Sequence, residues 1–167
     1  MTKIQSMTEY ALYTAVAFLF GYIESLIPLP LPFPGMKLGL ANVVILFILY
    51  RKNWKYALSL ALLRNVLTSI TFGNVFALLY STAGSLLSLL FMSAFKQGKH
   101  FSIVAVSSLG GIMHNIGQLI IASFVVGFSS ISWYLPILYF CGMFTGLLIG
   151  FVANMCLKRI RSQDLRK

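Results

Sequence analysis

The sequence predicts an all-α membrane protein, a single domain over residues 1–167 with six transmembrane helices and both termini in the cytoplasm. Three observations support this prediction. Hydrophobic residues make up 59% of the chain and the mean hydropathy is +0.88, which exceeds the usual composition of soluble domains. The apolar residues fall into six segments separated by short gaps, and the basic residues concentrate in alternate gaps.

Six segments approach the roughly 20 apolar residues that a helix needs to cross the hydrocarbon core. Trp54 and Trp133 begin two of them, where interfacial aromatic rings are favoured. The second segment is shorter than the others, which predicts a tilted or partial span, or one that extends into its flanks. The predicted helices cover residues 8–27, 38–50, 54–72, 75–95, 101–128 and 133–157.

The basic residues set the predicted orientation. Eleven of the thirteen lie before the first segment, in the second and fourth gaps, or after the sixth segment. Lys37 is the one basic residue in the other gaps, and Arg64 lies inside the third segment. The positive-inside rule therefore places both termini in the cytoplasm. This distribution indicates topology signals rather than a nucleic-acid surface, so the bilayer is the expected partner.

The first external gap is rich in proline. Residues 28–35, PLPLPFPG, hold four of the five prolines of the chain. Proline lacks an N–H donor and biases the preceding residue away from helix, so a stiff, extended loop is expected. The loop is either a rigid connector or a lid over a cavity.

Glu24, Lys37 and Arg64 are charges within or beside apolar sequence. A charge at bilayer depth costs about 2.5–3.5 kcal/mol on insertion scales, so it usually faces a protein interior and often serves a function. Polar residues of four predicted helices fall in the middle and outer membrane, which predicts a ligand-binding cavity open to the outside. The predicted lining residues are Glu24, Lys37, Asn42, Arg64, Asn65, Thr68, His114 and Gln118.

Two alternatives to ligand binding remain open at these positions. Glu24 can form a structural ion pair with Arg64 or Lys37 that locks the bundle, and this pair can coexist with a cavity. His114 can be a hydrogen-bonded interior histidine, or it can contact a ligand, including a metal ion or a tetrapyrrole.

The sequence holds no recognisable catalytic motif. It has no nucleophile elbow, no HExxH, no phosphate-binding GxxxxGK[ST] and no paired carboxylates, and Asp164 is its one aspartate. Mg²⁺-dependent diphosphate chemistry needs clustered carboxylates to hold the metal. We therefore expect no enzyme, no metal site and no cofactor, and any active transport requires an ATPase partner.

Small residues recur every four positions in several segments, as they do where membrane helices pack closely. The sixth segment has Gly142, Gly146 and Gly150, and packing inside this chain is the leading interpretation, with an oligomer contact as the alternative. In the first segment Ala11 and Ala15 show the same spacing, and Ala17 and Gly21 repeat it. Cys141 and Cys156 are expected to be buried, inert thiols.

The most distinctive run, PFPGMKLGLAN at residues 32–42, resembles a bacterial membrane family called heptaprenyl diphosphate synthase component I, or Gx transporters. The runs RNVL at 64–67 and STAGSLLS at 81–88 add weaker support, as does Gly73. That family is similar to the substrate-binding S components of energy-coupling factor (ECF) transporters, which are six-helix proteins with cytoplasmic termini.

The resemblance implies a substrate-binding subunit in the cytoplasmic membrane of a bacterium, which captures a micronutrient or an amphipathic or anionic solute from outside. Residues 28–35 would then be the lid. Ala11 and Ala15 would dock on a transmembrane coupling subunit, and two ATPase subunits would power transport. The alternative is a non-catalytic membrane subunit of isoprenoid synthesis, leading to heptaprenyl diphosphate and quinones.

Overall fold

The computed structural model describes residues 3–26, 39–98, 100–127 and 132–164. Within these ranges it is all-helical, with six α-helices and no strand, which confirms the all-α part of the prediction. A short 3₁₀ turn at Ser132–Tyr134 precedes the last helix. The helices are α1 (Lys3–Leu26), α2 (Asn42–Arg51), α3 (Trp54–Phe72), α4 (Val75–Gln97), α5 (Ile103–Val126) and α6 (Leu135–Asp164).

The observed helices differ from the predicted segments mainly at their ends. α1 begins at Lys3 and α6 continues to Asp164, so both extend into polar sequence at one end of the bundle. Hydropathy marks only the apolar part of a helix, whereas lysine, arginine and glutamine continue it readily. α2 begins at Asn42 rather than near residue 38, because Gly39 has a φ of +86°, which is incompatible with a right-handed helix.

Three of the described helices are long and apolar enough to cross a membrane: Val75–Gln97, Ile103–Val125 and Leu135–Ser162. The chain is therefore a multi-pass membrane protein. α1 and α3 are as long as membrane helices but contain Glu9, Glu24 and Arg64. α2 is a shorter apolar helix of 10 residues.

α2 lies inside the bundle. Each of residues 44–49 is at most 8% exposed, and a helix that is apolar on all sides belongs in a core. α2 packs between α3 and α6, and its side chains form the centre of the larger hydrophobic cluster. α2 is therefore shielded from the surroundings by its neighbouring helices.

Close glycine contacts join α4, α5 and α6. A Cβ placed on Gly146 would lie 2.5 Å from the carbonyl oxygen of Ser107, and one on Gly150 would lie 2.8 Å from Cα of Val104. On the opposite side of α5, a Cβ on Gly117 would lie 2.8 Å from Cα of Gly84. The glycine face of α6 is thus occupied by α5 of the same chain, which confirms the leading interpretation of these glycines.

Consecutive helices run in opposite directions, so the bundle has two distinct ends. At the basic end, Lys52 Nζ pairs with Glu9 at 2.8 Å, and Lys96 Nζ donates to the carbonyl of Leu49 at 2.6 Å. Side chains of Asn53 and Ser102 cap the helices that start there. At the other end, called the Glu24 end, α1 and α3 finish and α2 and α4 begin.

Candidate functional site

The structure buries every described member of the predicted polar set. Lys37 and the proline-rich residues 28–35 lie outside the described residues. The exposed fractions of the remaining predicted side chains are 4% for Glu24, 9% for Asn42, 2% for Arg64, 0% for Asn65, 1% for Thr68, 2% for His114 and 2% for Gln118. These groups come from α1, α2, α3 and α5, as the sequence predicts.

Glu24 accepts a hydrogen bond from the backbone just before α2. Its Oε1 accepts the backbone N–H of Gly39 at 2.5 Å, and a hydrogen bond to a carboxylate is stronger than one between neutral groups. A Cβ on Gly39 would lie 2.6 Å from Nδ2 of Asn42 and 3.7 Å from Cδ2 of His114. Glycine is therefore required at position 39, because the backbone has a positive φ and because a side chain there would collide with Asn42. Glu24 thus has a structural role in addition to any role in binding.

Arg64 lies in the middle of α3 against α1. Its Cδ is 3.9 Å from the position that a Cβ on Gly21 would take, and its charge interacts with that of Glu24. The buried Nε of Arg64 has no hydrogen-bond partner among the residues that the structure describes. Buried polar groups are normally paired, so this donor needs an acceptor beyond the described residues.

Asn65 connects α3 to α4, with Nδ2 donating to Oγ of Ser85 at 3.2 Å. Its Oδ1 is buried without a partner in the described part of the chain. In the sequence Ser85 appears only within the run STAGSLLS, and its polar role depends on a contact between helices. Thr68 donates to the backbone carbonyl of Asn65 at 3.1 Å, and its methyl group packs at Gly21. The structure therefore gives Thr68 a packing role.

The ring of His114 lies against Gly84. A Cβ on Gly84 would lie 2.8 Å from both Cε1 and Nδ1 of the imidazole, and Nδ1 makes no well-formed hydrogen bond to any described residue. Neighbouring Asn115 instead donates to the carbonyl of Leu138 at 2.8 Å and ties α5 to α6. Three or more His, Cys, Asp or Glu side chains do not meet anywhere in the described ranges. His114 therefore does not belong to a cluster of three such side chains among the described residues.

Ala11 and Ala15 occupy a different surface. Both are exposed, and they line a groove of about 450 Å³ between α1 and α3. A second groove of about 410 Å³ adjoins it and shares Tyr10 and Ala11. The other lining residues of the first groove are Thr14 and Phe18 of α1 and Leu63, Leu67 and Thr71 of α3.

Ala17 and Gly21 have the same spacing but face inward. Ala17 is fully buried, and a Cβ on Gly21 would lie 2.9 Å from Cγ2 of Thr68. The two small-residue pairs of α1 thus serve different contacts. The expectation of buried thiols is wrong: Cys156 is exposed and Cys141 is partly exposed, because both lie on the outer surface of α6.

The family model for heptaprenyl diphosphate synthase component I matches residues 13–156 of the chain. The chain belongs to this family. A solved structure described as the S component of a bacterial ECF transporter has a TM-score of 0.70 at 18% sequence identity, covering 99% of this chain and 100% of that chain. This match shows that the chain shares the fold of that S component. No curated protein sequence matches the chain.

Proposed function

We propose that the protein is the substrate-binding subunit of an ECF-type importer, which captures a small anionic or amphipathic solute at the Glu24 end of the bundle. The fold shared with an S component supports this role at the level of architecture. The observation that supports binding most strongly is Arg64, which is 2% exposed and keeps an unpartnered Nε.

A buried guanidinium is costly unless its donors are paired. The Nε and neighbouring Nη groups form one edge of a planar fork, which suits a carboxylate or phosphate oxygen pair. The interaction with Glu24 offsets part of the cost, but the Oε1 oxygen of Glu24 is already bonded to Gly39. A ligand anion would complete the hydrogen bonding of Arg64.

The orientation follows from the charges at the two ends. In this proposal all six α-helices contribute to the membrane domain, with α2 shielded inside it. The basic end, with Arg51, Lys52, Lys55 and the basic residues of α6, faces the cytoplasm of a bacterium. The Glu24 end then faces outward, and residues 28–35 are positioned in sequence to cover it as a lid.

The partners in this proposal are a transmembrane coupling subunit and two ATPase subunits. The groove beside Ala11 and Ala15 suits a partner helix, because small residues let helix backbones approach closely in lipid. The chain has no phosphate-binding motif of its own, so energy for transport must come from these partners.

The test is native mass spectrometry of the protein in lipid nanodiscs, which detects a retained small molecule as added mass. Arg64→Ala should lower retention at least about 30-fold, since truncating one side of a buried charge pair costs about 2–5 kcal/mol. Arg64→Lys keeps a charge opposite Glu24 but lacks the fork, and it should also lose most of the added mass.

Arg51→Ala is the matched control, because Arg51 is exposed at the basic end. It should retain the small molecule at the wild-type level. Equal retention in the wild type and both Arg64 variants, with all of them folded, would contradict the proposed pocket.

A second candidate is a non-catalytic membrane subunit of isoprenoid synthesis, favoured by the description of the matched family. It predicts co-purification with a soluble prenyl synthase and a change in the length or amount of its product. The importer proposal predicts co-purification with ATPase subunits instead, so affinity purification from native membranes separates the two.

A further inference from the structure

Two buried atoms of adjacent residues in α3 have opposite hydrogen-bonding needs. Nε of Arg64 can only donate, and Oδ1 of Asn65 can only accept. Neither atom has a partner among the described residues, and the two side chains are 2% and 0% exposed. A buried polar atom without a partner is costly, so each atom indicates a group that the bound state supplies.

The surroundings place both side chains in one polar cluster. Asn65 bonds to Ser85 of α4, and the preceding residue, Gly84, lies against the ring of His114. The charge of Arg64 acts on His114 as well as on Glu24. α3, α4 and α5 therefore meet around the same few residues, and one small molecule could reach Arg64 and Asn65 together.

Resting on the proposed function, we infer that the captured solute combines an anionic group for Arg64 with an N–H or O–H donor for Asn65. A carboxylate on a ring or chain that also carries an N–H fits both atoms. A diphosphate ester does not, because it presents acceptor oxygens almost exclusively and would face the Oδ1 acceptor unfavourably. The inference thus separates a donor-bearing micronutrient from a prenyl diphosphate.

Two substitutions of Asn65 test this donor requirement. Asn65→Gln keeps a neutral amide oxygen as acceptor without adding a charge beside the anionic group, while Asn65→Leu removes the acceptor. The probe is the small molecule that native mass spectrometry detects on the purified wild-type protein, and its identity is determined after release. Asn65→Gln should retain it within about threefold, and Asn65→Leu should lose it by at least about tenfold.

Asn53→Asp is the control, since Asn53 is an exposed N-cap of α3 and aspartate caps equally well. Loss of the molecule in both Asn65 variants, or in neither, would overturn the inference. So would a released molecule that lacks an N–H or O–H donor, or displacement by millimolar inorganic diphosphate.

The proposed function and the donor requirement can be contradicted by different results. If Arg64→Ala loses the molecule and Asn65→Leu does not, the importer pocket stands and the donor requirement is wrong. A wild-type protein without any added small-molecule mass contradicts the proposed function itself. Melting temperatures of all variants in nanodiscs distinguish lost binding from lost folding.

Discussion

The two halves of the bundle are built differently. In α4–α6 the helices pack through glycines, and all three are apolar enough to span a membrane. In α1–α3 the interior contains Glu24 and Arg64, and an exposed groove runs beside Ala11 and Ala15. The comparison indicates that α4–α6 form a closely packed frame, while α1–α3 provide the buried charges and the proposed partner surface.

The physical basis of this difference is the lipid environment. Lipid is as apolar as leucine, so helices associate through close packing and hydrogen bonds rather than through the hydrophobic effect. Glycine contacts supply the close packing in α4–α6. Among the described residues, Nε of Arg64 and Oδ1 of Asn65 in α3 have no hydrogen-bond partner, and the proposed ligand would supply both.

The largest effect is expected from Gly146→Leu in the frame. Even a Cβ at this position would lie 2.5 Å from a backbone oxygen, so α5 and α6 must separate. Overpacking of a core typically costs about 1–3 kcal/mol, and a leucine against backbone should reach or exceed the upper value. The measurement is the melting temperature in nanodiscs, with Val152→Leu at an exposed position of α6 as control. A melting temperature equal to that of the control would contradict the claim that close glycine contacts hold α5 against α6.

Ala15→Leu tests the partner surface with a similar added bulk. Ala15 is exposed, so the isolated protein should fold and retain its small molecule normally. Filling the groove should weaken association with the coupling subunit by at least about tenfold, which corresponds to about 1.4 kcal/mol. Pull-down with the purified coupling complex measures this effect. Val16→Leu, the neighbouring exposed position, should bind normally, and an equal loss in both variants would argue against a specific groove.

The smallest effect is expected between two substitutions of Glu24. Glu24→Gln and Glu24→Leu both remove the charge that interacts with Arg64, but only glutamine keeps an acceptor for the N–H of Gly39, so the leucine variant should be less stable than the glutamine variant by about 1 kcal/mol. Chemical or thermal unfolding in detergent measures the difference. If leucine stabilises the protein relative to glutamine, the Gly39 contact has no structural role.

Much of the fold could be predicted because its signals are local. Apolar length and turn residues marked α3 and α4 closely, and the place of Arg64 near the middle of α3 followed from its place in the third segment. The partner of Asn65 could not be predicted, because Ser85 reaches it only through the packing of α4 against α3. The role of Gly39 likewise depends on a carboxylate from another helix.

The small-residue pairs of α1 likewise show that contacts between helices cannot be predicted from local sequence. Ala11 with Ala15 and Ala17 with Gly21 have identical spacing, and spacing alone does not tell which pair faces a neighbour in the chain. The structure makes the first pair exposed and the second buried. The difference arises from the rotation of α1 against α3, which the polar and close contacts at Thr68 and Arg64 help to fix.

The central claim is that Arg64 binds a solute inside the polar cluster where α3, α4 and α5 meet. A high-resolution structure of the protein in nanodiscs with its retained small molecule tests it most directly. The predicted result is ligand density within hydrogen-bonding distance of Nε of Arg64, with a donor atom facing Oδ1 of Asn65. Density confined to the outer grooves, with the Arg64 guanidinium fully paired to protein groups, would contradict the claim.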